Sequence, residues 1–243
     1  MPTHWYYGGR RQVEHDYGVI KGFVQPKTQI SGSIMGKSNT GGAGRGGDQG
    51  SVIGDVIFHD KKKYWVSGSE YHYHQGMAAG DNTLEALLSR RVTRVLASSG
   101  GIFDVQALTS DYISFMTTPG THNDTYCGTS HRMFFGKLSQ GIPPDKCPDN
   151  DGHNVDSADS IVTTVPVALL SASDDQAAQE VRRHVAITRD SQPAQTHSAI
   201  FASSLRSVVS GSSLTEAVLA TAKKMHYDVA KAVARADEDP MTA

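Results

Sequence analysis

The sequence predicts an all-α fold, a helical bundle preceded by an irregular glycine-rich segment. Three observations lead there. From residue 82 onward apolar residues recur at three- and four-residue spacing. No alternating, strand-like run of useful length follows that point. Helix-start and helix-stop signals recur with short connections between them. At 243 residues the chain can bury a substantial core as one domain. It divides into a loop-rich stretch 1–70, a helical core 71–236 and a tail 237–243.

The N-terminal stretch carries the run Gly41-Gly42-Ala43-Gly44-Arg45-Gly46-Gly47 and little apolar periodicity. Gly42, Gly44 and Gly47 satisfy G-x-G-x-x-G, but a nucleotide fingerprint also needs a preceding strand and a following helix. Ser31 to Thr40 is no buried strand and Asp48 to Ile53 no helix, so this run reads as a loop.

In the core, Leu84, Leu87, Leu88, Val92, Val95 and Leu96 form one apolar stripe with arginines opposite. A second helix is predicted over about 104–117, stopped by Pro119-Gly120. A third runs from Ser130 to Leu138, and 145–156 is a polar loop. Further helices are predicted over about 158–171, 175–188, 195–209 and 214–235. Ser173 with Gln176, and Ser213 with Glu216, have capping-box spacing. Gly211 is a natural terminator.

Composition excludes several classes. Twenty-three Lys+Arg against twenty-five Asp+Glu leave no general basic face for nucleic acid. The runs Lys61-Lys62-Lys63 and Arg90-Arg91 read as solvated surface. No stretch approaches the roughly 18 apolar residues of a membrane span. The N-terminus lacks a signal-peptide apolar core. Cys127 and Cys147 have neither zinc-knuckle spacing nor the number for a disulfide framework, which fits a reducing, cytoplasmic setting.

Chemistry concentrates at Gly80-Asp81-Asn82-Thr83, where a polar stretch meets the first core helix. One reading is a cap: Asn82 at N-cap, Glu85 at N3, and Asp81 favoured by the helix dipole. The other is a metal site, since Asp81, Asn82 and Thr83 offer hard oxygen donors suited to Mg²⁺ or Mn²⁺. Just upstream, His72 and His74 on an extended segment would face the same way and could share a metal. Otherwise they are a hydrogen-bonded or surface pair. The turn-rich link Thr117 to Thr125, with His122, Asn123 and Asp124, can hold a substrate or bond its own backbone. Trp5, Tyr6 and Tyr7 can stack an adenine or fill core.

The same stretch resembles the ADP-ribosylglycohydrolase family, whose members carry Thr-Asp-Asp-Thr at the head of a buried helix. The segments DYGVIKGFVQPK, GDVIFHDKKKYW, HYHQGMAAGDNTL and FMTTPGTHNDTYCGTSHRMFF are similar to one branch of that family. AITRDSQPAQTHSAIFASSLRSVVSGSSLTEAV is similar to its helix pair around a Leu-Thr-His element, whose place Ile187-Thr188-Arg189 holds. The resemblance implies a pair of Mg²⁺ or Mn²⁺ ions at Asp81, Asn82 and Thr83. It implies His74 and Gln75 near phosphate or ribose, and Ser157 and Asp159 in the loop that cradles ADP-ribose.

The implied reaction is metal-assisted hydrolysis of the glycosidic bond joining ADP-ribose to a protein or small molecule. His4 stands where the family has a glutamate, and would take an acid or base role. The family's C-terminal Asp-x-Asp-Thr motif has no counterpart beyond Asp237 and Asp239, so the resemblance implies a chain shortened at both ends and an incomplete metal set. Apolar surface exposed by that shortening would favour oligomers. Two alternatives follow: a catalytically silent binding or structural member like the crystallins recruited from this family, and a helical interaction module that binds neither metal nor ADP-ribose.

Overall fold

The computed structural model describes residues 10–30, 52–57, 59–66, 68–150 and 156–238. His4, the 41–47 glycine run, the Trp5-Tyr6-Tyr7 cluster and Asp239 lie outside the described residues. Nine α-helices of eight or more residues are described: α1 Arg10–Tyr17, α2 Leu84–Ser98, α3 Val105–Thr117, α4 Thr129–Leu138, α5 Ser160–Leu170, α6 Asp174–Val185, α7 Gln192–Val209, α8 Leu214–Lys224 and α9 Val229–Glu238. Among the described residues there is no sheet, only isolated bridges such as Gln29 with Tyr71. The fold is all-helical.

The stripe predicted on α2 is the one buried: Leu84, Leu88, Val92 and Leu96. It packs on α3 and on α5, and α5 in turn packs on α6 and α7. Helix α4 is different, because Thr129 through Phe135 are all buried. A helix covered on every side belongs at the centre of a core. Phe134 and Phe135 meet Tyr112 of α3, each with ring centroids 5.3 Å apart.

The start of α4 is held by a buried arginine. Arg132, 0% exposed, donates to the Cys127 carbonyl and to Thr129 Oγ at 3.1 Å. Its guanidinium lies 5.1 Å from the Trp65 ring centroid, and Trp65 stacks on Tyr126. Trp65 Nε1 donates to the Thr125 carbonyl at 3.0 Å, which ties the N-terminal region to the loop before α4.

Three sequence expectations need correction. The N-terminal region is not wholly irregular, because Arg10–Tyr17 is helical. The predicted helix over 214–235 is two helices, α8 and α9, broken where His226 adopts φ 53°. Lys61 is not solvated surface but 7% exposed. Elsewhere the signals hold: Ser173 caps α6 by accepting from Gln176 N–H, and Ser213 with Glu216 forms a reciprocal capping box on α8. Gly211, at φ 108°, takes the left-handed turn after α7 that a side chain would resist. Leu214, Val218, Leu219, Tyr227 and Val233 of the C-terminal region are exposed. Among the described residues no helix is long and apolar enough to cross a membrane.

Candidate functional site

The segment before α2 is a string of tight turns rather than an extended strand. Gln75 N–H donates to the His72 carbonyl at 2.8 Å and Met77 N–H to that of His74 at 3.1 Å. Gly76 and Gly80, both at φ 89°, let the chain double back twice. His72 is therefore buried, and its Nδ1 accepts the His74 backbone N–H at 3.0 Å. With His74 Nδ1 in turn bonded to Asp124, the pair takes the hydrogen-bonded alternative of the His-x-His reading.

The head of α2 is also built differently from the expected capping box. Thr83, not Asn82, is the N-cap residue, and its side chain makes no capping bond. The first helical N–H, that of Leu84, is taken by Asp124 Oδ2 at 2.9 Å. Glu85 does not reach back to the cap; its Oε1 accepts from His131 Nε2 at 2.9 Å. A carboxylate at this end of a helix is favoured by the dipole and by the unsatisfied N–H groups.

Asp124 is 2% exposed and its other oxygen is equally committed. Oδ1 accepts from His74 Nδ1 at 2.8 Å and from the Tyr126 N–H at 3.1 Å. This fixes the His74 tautomer with the proton on Nδ1 and Nε2 as the basic nitrogen. Tyr73, beside them, has its phenol pushed up to about 12 by burial and by the Asp124 charge.

Around this pair the loop residues make a polar rim. Asp81 Oδ2 accepts the Ala78 N–H at 2.8 Å and the Asn123 amide at 3.3 Å. Asn123 also donates to the Gly76 carbonyl at 3.1 Å and accepts from Lys61 Nζ at 2.9 Å. Thr125 Oγ donates to the Gln75 carbonyl. His122 lines a neighbouring open pocket with His59, Asp60 and Thr121. Its pKa is lowered to about 4, by burial first and then by the nearby Lys61 charge.

The fold thus brings together His74, Gln75, Asp81, Asn123 and Asp124. Asn82 is exposed at the rim and Thr83 half-buried. Ser157 and Asp159 stand at the head of α4: Asp159 Oδ2 lies 3.3 Å from where a Gly128 Cβ would be, Ser157 Oγ donates to Asp159 Oδ1 at 2.5 Å, and the same carboxylate takes Arg189 Nη2 at 2.9 Å. Two elements escaped the sequence reading. Lys61 was hidden inside a basic run. The chain from Tyr112 through His131 to Glu85 joins residues far apart in sequence with no spacing signal.

A divalent ion, implied by the resemblance, is not matched by this donor set. Asp81, Asn82 and Thr83 offer one carboxylate, already bonded twice, and a Lys61 ammonium stands one residue away through Asn123. Asp124, the second carboxylate, is directed at backbone and imidazole. Among the described residues no group of three or more His, Cys, Asp and Glu is arranged to hold a metal ion. An ion of this kind takes six or more oxygens, with carboxylates among them.

The family model described as ADP-ribosylglycohydrolase matches residues 45–243. The chain belongs to the ADP-ribosylglycohydrolase family. That match takes in the turns at 71–80, the head of α2 and the 122–124 loop, so the residues gathered here lie within the family's domain. No curated protein and no solved structure matches this ADP-ribosylglycohydrolase family member.

Proposed function

We propose that the chain hydrolyses the glycosidic bond that joins ADP-ribose to a protein or small molecule, where residues 74–83 meet the 122–124 loop. The observation that carries this reading is the Asp124–His74 pair, 2.8 Å apart with the carboxylate buried. Family membership supplies the reaction class, and this pair supplies a base. A buried carboxylate on Nδ1 orients the ring and stabilises the imidazolium. Nε2 then takes a proton from water as its oxygen attacks the anomeric carbon, and the acceptor leaves with the bonding electrons. Gln75, Asp81 and Asn123 border the same place and offer hydrogen bonds to ribose and phosphate, and His122 lines the pocket beside it. His4 keeps the acid role in this reading. No step is assigned to a divalent ion.

The test is release of ADP-ribose from an ADP-ribosylated peptide, paired with ligand-induced thermal shift. His74→Ala should remove turnover by a factor of roughly 10²–10⁴ while leaving the thermal shift in place. Unchanged turnover in that variant would sink the assignment. A second reading, a silent family member that binds without cleaving, draws on the Lys61–Asn123–Asp81 contacts, which occupy the Asp81 carboxylate and hold an ammonium one residue away from it. Binding without any turnover by the wild-type chain would select it. Both readings take ADP-ribose conjugates as partners and the cytoplasm as setting, which the two buried free thiols, Cys127 and Cys147, support. The exposed apolar side chains of α8 and α9 support self-association, which light scattering during gel filtration would measure.

A further inference from the structure

A cavity of about 40 Å³ lies between α2, α3, α4, α5, the C-terminal end of α6 and the residues that link α6 to α7. Leu88, Val92, Leu108, Val185 and Ile187 make its apolar wall. Most of the polar groups facing it are already satisfied. Arg91 and Asp111 form an ion pair, with Nε to Oδ2 at 3.0 Å. Tyr112 OH donates to His131 Nδ1 at 2.6 Å, and His131 Nε2 donates to Glu85 at 2.9 Å. Two nitrogens are left over. Arg189 Nε and His184 Nδ1 are buried without a hydrogen-bond partner. Arg189 is 3% exposed, and Thr188 and Asp159 occupy only its two terminal nitrogens.

A buried donor left unpaired costs about 1–3 kcal/mol. A guanidinium N–H can only donate, so its partner must bring an acceptor oxygen. One water needs roughly 10–15 Å³ of such space, so the cavity takes about three non-hydrogen atoms. We propose that it binds a small carboxylate of formate size, whose oxygens accept from Arg189 Nε–H and His184 Nδ1–H while its carbon rests on the apolar wall. Burial and the Arg189 charge hold His184 low, at about 4, so the ring is neutral near pH 7. A bound anion opposes both effects and raises that value. Arg91, Asp111, Glu85 and His131 also face the cavity but are paired with one another. Neither His74 nor Asp124 lines this cavity, and the proposal does not rest on the role given to that pair.

The test uses the full chain and sodium formate, with sodium chloride at equal ionic strength as control. His184 Cε1 is followed by NMR across pH. Formate, not chloride, should shift it saturably and raise its titration midpoint by at least about one pH unit. His184→Phe keeps a ring in place and deletes an unsatisfied nitrogen, so it folds at wild-type stability or better. Its affinity for formate, read from melting temperature, should fall at least about tenfold. A wild-type response to formate no larger than that to chloride overturns the proposal. So does a His184→Phe chain stabilised by formate as strongly as wild type.

Discussion

Asp124 caps α2 from forty residues away: its Oδ2 accepts the Leu84 N–H at 2.9 Å while its Oδ1 holds His74. One buried carboxylate therefore fixes both a helix start and an imidazole. Asp124→Asn keeps one acceptor oxygen and replaces the other with a donor. We expect a loss of about 2–3 kcal/mol in urea unfolding, together with loss of turnover. A change under half a kcal/mol would show that the Leu84 N–H finds another partner.

Thr83 makes the complementary case. It occupies the N-cap position with no side-chain cap bond. Thr83→Ala should cost less than about 0.5 kcal/mol, against about 1 kcal/mol for an ordinary N-cap threonine. Ser213→Ala, which breaks a reciprocal capping box, should cost that ordinary amount.

Acid should unfold this protein partly through two histidines. His122 and His184 titrate at about 4 in the folded chain against an ordinary 6.5. A depressed value means the unfolded chain binds the proton more readily in that window. Stability is thus full above pH 6.5 and falls as pH drops toward 4, with each histidine adding a slope of up to about 1.4 kcal/mol per pH unit. Denaturant midpoints measured across that range should flatten in the His184→Phe and His122→Asn variants. Equal pH slopes in wild type and variants would contradict the burial assigned to these rings.

Magnesium should leave the melting temperature unchanged in the absence of ADP-ribose. Asp81 is committed to the Ala78 N–H and Asn123, and one carboxylate is a thin ligand set. A rise on adding Mg²⁺, reversed by a chelator, would mean the turn at 78–81 reorganises into a metal site.

Much of the helical core was legible in sequence because its signals are local. The stripe Leu84 to Leu96, the Ser213–Glu216 box and the Gly211 stop each act within a few residues, and each recurs in the structure. The site was less legible. The Asn82 cap gave way to Thr83 because a carboxylate forty residues downstream already satisfied the helix N–H. No spacing rule sees that bond. Lys61 misled for a related reason: nothing in Lys61-Lys62-Lys63 says that only the first ammonium turns inward to Asn123. The break between α8 and α9 failed on different grounds, since His226 takes a left-handed conformation there without the glycine that usually announces one. Replacing it with glycine should stabilise the chain by about 1 kcal/mol, measurable by urea unfolding.

The position of α4 bears on how the chain opens. Because Thr129 to Phe135 are buried on every side, no partial fluctuation of one neighbouring helix bares their amides to solvent. The amide protons of Phe134 and Phe135 should exchange with deuterium only when the whole bundle comes apart, so their rate reports the global unfolding equilibrium. Those of residues 229–235 in α9, most of which are exposed, should exchange by local fraying long before. The slowest-exchanging segment of the protein is then a ten-residue helix in the middle of the chain, and its clock is that of the entire domain.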